Sequence, residues 1–126
     1  MPKYSHPDVL TYGPNFIKTN CNKLVLVSTY ALLDSYATVM ANLLAESAMT
    51  SGDFTFSTVS NNVLMTTASG KTDASANTSG TASHHAFVDT VNSKVLWVTP
   101  ESSGQSVTSG NPVVFPSLVY TSNQPT

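Results

Sequence analysis

The spacing of apolar positions along this chain changes period more than once. Lys23 to Ser28 reads as a short buried strand, β-branched in composition and bounded by polar residues. Tyr30, Leu33, Ala37, Met40 and Leu44 then recur at helical spacing, with Ser28 or Thr29 placed to cap, and predict a helix over about 34–45. After Ser51-Gly52 the period drops to two. Phe54, Phe56 and Thr58 alternate with Asp53, Thr55 and Ser57, which predicts a half-buried strand over 53–59. Asn61-Asn62 can turn the chain into a further strand, Val63 to Ala68. Residues 69–79 have no apolar period and predict an exposed, mobile loop. A strand over 81–89 follows, joined through Thr90 to Ser93 to a strand over 94–98. Ala82, His84, Ala86 and Val88 share one face of that hairpin, and Ser83, His85, Phe87 and Asp89 the other. A small loop at 100–106 leads to a last strand over 111–121. Pro112 and Pro116 each remove a ladder donor there, so that strand belongs at an edge or a bulge.

The two ends read differently. Residues 1–15 hold Pro2, Pro7, Pro14, Gly13 and two tyrosines, and predict an irregular arm in which Pro14 opens a short helix through Phe16, Ile17 and Asn20. Residues 122–126 read as a frayed tail. The expected architecture is all-β: a single antiparallel β-sandwich or jelly-roll-like domain over 16–121, with one short helix and extended termini.

Composition sharpens this picture. The 126 residues fit one domain able to bury roughly 65–70% of its unfolded surface. Only 10% are charged, while 18 Ser, 17 Thr and 10 Asn supply the polarity. Hydroxyl-rich strands suit a β-domain better than salt-bridged helices do. Five lysines, no arginine and a net charge of −2 give no means of neutralising a run of phosphates, which argues against nucleic acid as a partner. The longest aliphatic run, Leu24 to Val27, is too short to span a bilayer, and the N-terminus lacks the apolar stretch of a secretory signal. A lone Cys21 leaves no internal disulfide framework, so the expectation is a soluble protein made in a reducing cytosol.

Candidate chemistry is sparse. His84 and His85 are adjacent on a strand and point to opposite faces, so they cannot chelate one metal together; His6 and Asp89 would be needed as further ligands. One of the pair is expected beside Trp97 and the other exposed. Cys21 lies among Asn20, Asn22 and Lys23, with no base to activate it. No G-x-S-x-G elbow occurs, and Gly70-Lys71-Thr72 lacks the upstream glycine of a phosphate loop. Asp53, Asp73, Asp89 and Glu101 fall at turns or strand ends, where turn capping accounts for them. The expectation is a protein without catalytic residues, cofactor or metal. Trp97, Tyr120, Tyr4, Tyr12, Tyr30 and Tyr36 could offer a sugar-stacking surface, whereas Trp97, Phe54, Phe56 and Phe87 read as core. Tyr4 and Tyr12 sit in a segment that cannot build a core of its own, and so must dock on something.

The C-terminal half carries a resemblance. GTASHHAFVDTVNSKVLWV (80–98) and SVTSGNPVVFPSL (106–118) resemble small structural proteins of tailed-bacteriophage particles, as do TSGDFTF (50–56) and FIKTNCNKLVLVS (16–28). Pro112, Pro116, His85 and the 29–44 stretch depart from that pattern. The resemblance implies a non-enzymatic virion component, first a capsid decoration (cement) protein on the capsid surface, synthesised in the host cytoplasm. The implied partner is the major capsid protein lattice, with other copies of the chain as a further candidate, and no membrane or small-molecule substrate. A tail, fibre or receptor-binding component is the alternative, and a carbohydrate-binding β-sandwich a further one. The residues expected at the partner contact are Tyr4, Pro7, Tyr12 and Phe16 in the arm, and Pro116, Val119 and Tyr120 near the C-terminus.

Overall fold

Leu24 to Val27 are almost completely buried, and the strand they form, β1 (Lys23–Val27), lies inside a four-stranded antiparallel sheet. The computed structural model describes residues 3–101 and 104–124. Strand β1 is flanked by β2 (Leu43–Ala48) and β7 (His84–Asp89), and β8 (Lys94–Pro100) follows β7, giving the order β2-β1-β7-β8. A second antiparallel sheet has the order β11-β4-β3, from β3 (Phe54–Val59), β4 (Asn62–Thr67) and β11 (Val119–Ser122). Two short ladders complete the set: β5 (Lys71–Asp73) with β10 (Val113–Phe115), and β6 (Gly80–Thr81) with β9 (Ser106–Val107). The protein is a small antiparallel β-domain.

The two larger sheets share one core. Phe87 of β7 stacks on Trp97 of β8 (4.6 Å, 12°) and meets Phe54 of β3 at 6.1 Å, while Trp97 takes Tyr120 of β11 edge-on at 5.3 Å. Leu24, Leu26, Met65 and Phe115 fill the same core. The other face of the four-stranded sheet carries Val25, Val27, Ala86 and Val88. It is covered by Val39 and by the half-buried Tyr30, Tyr36 and Met40. Both faces being covered, Leu24 to Val27 of β1 and Ala86 to Val88 of β7 are consecutive apolar residues rather than alternating ones.

The N-terminal segment is a helix and not an arm. Helix α1 runs over Pro7–Asn20. Pro7 stands at the first helical position, where its missing N–H needs no partner, His6 Nδ1 accepts from the Asp8 N–H (3.1 Å), and Asp8 sits in the positive first turn. Pro14 lies inside the helix with its ring buried beside Ile17, so packing offsets the missing hydrogen bond. The extended N-terminus expected from the prolines is therefore corrected. The C-terminal tail is also fastened as far as it is described: Gln124 accepts from the Ser5 N–H (2.8 Å) and donates to the Ser5 and Asn61 carbonyls. Residues 1–2 of the expected arm, 102–103 of the loop at 100–106 and 125–126 of the tail lie outside the described residues.

Four further expectations change. The 34–45 stretch is helical only as α2 (Tyr36–Ala41), capped by Ser35, because from Leu43 onward pairing with β1 outweighs the helical spacing. The 69–79 segment is not a loose loop. It contains β5, buries Ala76, and sends the Asn77 and Thr78 N–H groups to the Leu44 carbonyl, which closes the edge of β2. The last strand breaks at Pro116 into β10 and β11, which join different sheets. Strand 81–89 likewise divides at Ala82-Ser83, so Ala82 enters the same core as Phe87.

Candidate docking surface

Helix α1 has two faces. Pro14 and Ile17 turn inward, with Cys21 beyond the helix end joining the same core. Val9, Tyr12 and Phe16, spaced three and four residues apart, stand on one outward stripe with exposures of 62%, 77% and 50%. Tyr4, just before the helix, is 64% exposed. Asp8, Thr11, Tyr12 and Asn15 line a shallow depression along this side.

The helix is held firmly in place. Lys18 Nζ donates to the carbonyls of Ser51 and Phe54, both at 2.8 Å, and lies 5.9 Å from the Phe56 ring centre. Lys94 Nζ approaches the Phe16 ring at 5.8 Å, tying β8 to the outer stripe. Together with the Gln124 clamp, these contacts present the exposed side chains on a rigid support.

Of the residues expected at a partner contact, Tyr4, Tyr12 and Phe16 are exposed on or beside α1, while Pro7 is half-buried at its start. Pro116 is exposed between β10 and β11, and Val119 is 50% exposed on the outer side of β11. Tyr120 differs: strand alternation turns it inward against Trp97, so it serves the core. Sequence reasoning passed over Val9, whose place on the stripe is visible only once residues 7–20 are known to be helical. It also passed over Leu32 and Leu33, which are 85% and 87% exposed.

The titratable side chains singled out in the sequence lie elsewhere in the fold. His84 is half-buried, 5.6 Å from the Tyr30 ring, with Nδ1 2.8 Å from Ser83 Oγ. His85 is buried edge-on to Phe115 (6.2 Å), and its Nε2 lies 3.3 Å from Glu101 Oε2. Neither histidine lies beside Trp97 in the way expected, since β7 gives that place to Phe87. Burial pushes the His85 pKa down, against the pull of the Glu101 carboxylate and with help from His84. Burial likewise raises the Cys21 thiol to about 11, which leaves it protonated and unreactive at neutral pH. Asn92, through its side chain and N–H, and the Val91 N–H hold the Asp89 carboxyl below its ordinary range. Burial works against ionisation of Asp53, but the Thr50 N–H and the Lys71 ammonium at 3.0 Å prevail and lower it. Among the described residues, no three His, Cys, Asp or Glu side chains converge as a metal site would require. Comparison of the chain with protein-family models, with curated proteins and with solved structures finds no match in any of the three.

Proposed function

We propose that this chain is a non-enzymatic structural protein of a tailed-bacteriophage particle, a capsid decoration protein that binds the outside of the major capsid protein lattice and stabilises the head. The resemblance of residues 80–98 and 106–118 to phage structural proteins supplies the class. The structural observation that carries the binding half is the outward stripe of Val9, Tyr12 and Phe16, mounted on a helix clamped to a rigid β-core. Apolar side chains already fixed in one geometry lose little entropy on docking. Weak contacts repeated over a lattice add up through multivalency, and binding to the assembled state alone stabilises it by mass action. The docking element in this reading is a preorganised helix face, not a flexible arm reaching across neighbours.

A carbohydrate-binding reading needs an open aromatic face. Trp97 gives one face to Phe87 and meets the edge of Tyr120, so it adds nothing to that reading. The deciding measurement is copy number in purified particles, by quantitative mass spectrometry against the major capsid protein. A simple stoichiometric ratio to the capsid protein is expected. A low count typical of a tail component would move the chain to the tail or fibre, and absence from particles would overturn the virion reading.

A further inference from the structure

The segment between β1 and α2 contains the most exposed apolar pair on the described surface. Leu32 and Leu33 sit at a tight turn whose Asp34 N–H donates to the Ala31 carbonyl (3.0 Å) and whose Asp34 Oδ2 accepts from the Ala31 N–H (2.9 Å). Leu33 holds φ of 70°, as the third residue of a type II turn does, a position that favours glycine or asparagine. A leucine there is disfavoured by its own backbone and 87% exposed, so neither conformation nor burial within this chain accounts for it. From this we infer that the Leu32-Leu33 turn is a second docking element, which inserts into an apolar socket on a protein lattice.

Three observations choose that occupant. First, the two side chains offer on the order of 200 Å² of apolar area, against roughly 800 Å² per partner in a stable binary complex. That is too little for a free dimer through this turn, but enough for a contact multiplied on a lattice. Second, the chain between Lys23 and Lys71 has no basic residue, and the charge at the turn is Asp34, so an anionic membrane surface finds no complementary charge. Third, the turn precedes α2, which covers the outer face of the four-stranded sheet, whereas Ile17 of α1 packs into the core on the inner face. Two apolar elements on different sides of one sheet let a single molecule contact two neighbouring subunits. The inference rests on the decoration reading and names a second contact for it.

The test uses shells assembled from the major capsid protein of the genome that encodes the chain. Wild type, Leu33→Gly, Leu32→Ser/Leu33→Gly and Tyr12→Ser/Phe16→Ser are compared for shell occupancy and for urea unfolding midpoint. Leu33→Gly is expected to leave the midpoint unchanged or raised while weakening shell binding, and the double leucine variant to weaken it roughly tenfold or more. Wild-type binding left intact in both leucine variants overturns the turn as a contact while the decoration reading stands. Failure of the wild type to bind shells overturns both. Leucine-dependent self-association in sedimentation, or leucine-dependent binding to phosphatidylcholine vesicles, overturns the lattice socket in favour of a second copy or a lipid. A lowered midpoint in Leu33→Gly overturns the strain argument.

Discussion

His85 is a buried base with an opposing pair of neighbours. Its ring is removed from water beside Phe115, and Glu101 Oε2 lies 3.3 Å from its Nε2. Burial lowers the folded-state pKa below the ordinary value, Glu101 pulls the other way, and His84 adds to the lowering. The unfolded chain therefore takes up the proton first as pH falls below about 6.5. The stability His85 contributes is present above that value and is lost as pH drops toward the folded pKa. Calorimetry at pH 7.5, 6.5 and 5.5 should show the melting temperature of the wild type falling more steeply than that of His85→Gln. Glu101→Gln, which removes the attraction, should steepen the fall further; an unchanged slope in both variants would refute this account. Phe87 supplies a second residue-scale prediction. It is fully buried and touches Trp97 and Phe54, so Phe87→Ala should cost about 3–5 kcal/mol in urea unfolding. A cost below about 1 kcal/mol would mean that the two sheets are not joined through this ring.

At the scale of elements, α1 is the piece on which stability and, in the proposed function, docking turn. Replacing Lys18 by Met keeps the stem but removes the ammonium donor from the Phe54 carbonyl and from the Ser51 carbonyl, which keeps the Phe54 N–H, at a cost of about 1–3 kcal/mol. Hydrogen exchange should then quicken in α1 while β1 and β7 stay protected. Tyr12→Ser/Phe16→Ser acts on the outer stripe instead. It should cost no more than about 1 kcal/mol in urea unfolding, the Lys94–Phe16 contact included, and weaken shell binding roughly tenfold or more in a co-sedimentation assay. The same helix marks how far the sequence could be read. Strands β1, β3, β4, β7 and β8 were legible because their side chains alternate or run apolar between turn residues, as Phe54/Phe56 and Leu24–Val27 do. The turn after β3 was displaced by one residue, falling on Ser60-Asn61, both at positive φ. Helix α1 was hidden by Pro7, Gly13 and Pro14, which read locally as breakers although Pro14, Ile17 and Cys21 keep helical spacing. Strand β2 was hidden by helix-favouring Leu, Ala and Glu, whose pairing with β1 is a long-range fact. Tyr12 and Phe16 were legible as candidates because an irregular, proline-containing segment with apolar side chains cannot build a core of its own and must dock on something. Leu33 was not, because helical spacing assigned it to an inward face that never forms.

At the scale of the whole molecule, the arrangement explains how so few charges suffice. Neutral groups satisfy most turns and edges: the Asn92 side chain donates to Asp89 in one hairpin, Ser117 Oγ donates to the Thr67 carbonyl, Thr67 Oγ1 accepts from the Leu118 N–H, and the backbone N–H groups of Asn77 and Thr78 cover β2. Backbone polar groups at those edges are then not left open to pair with another chain. The apolar surface that remains is concentrated in small groups such as the α1 stripe and the Leu32-Leu33 turn. A molecule of this kind adds stability to an assembly only by binding it more tightly than its dissociated parts. The gain per site follows RT ln(1 + [L]/Kd), which is about 2.7 kcal/mol when free protein stands at a hundred times Kd. Shells lacking the protein should therefore melt at a temperature that climbs with added protein, logarithmically once sites fill. Salt should change this little, because the proposed docking is carried by apolar contacts rather than ion pairs. Tyr12→Ser/Phe16→Ser added at the same concentrations should raise the melting temperature far less. A rise undiminished by that substitution would place the contact elsewhere on the surface and remove α1 from the mechanism.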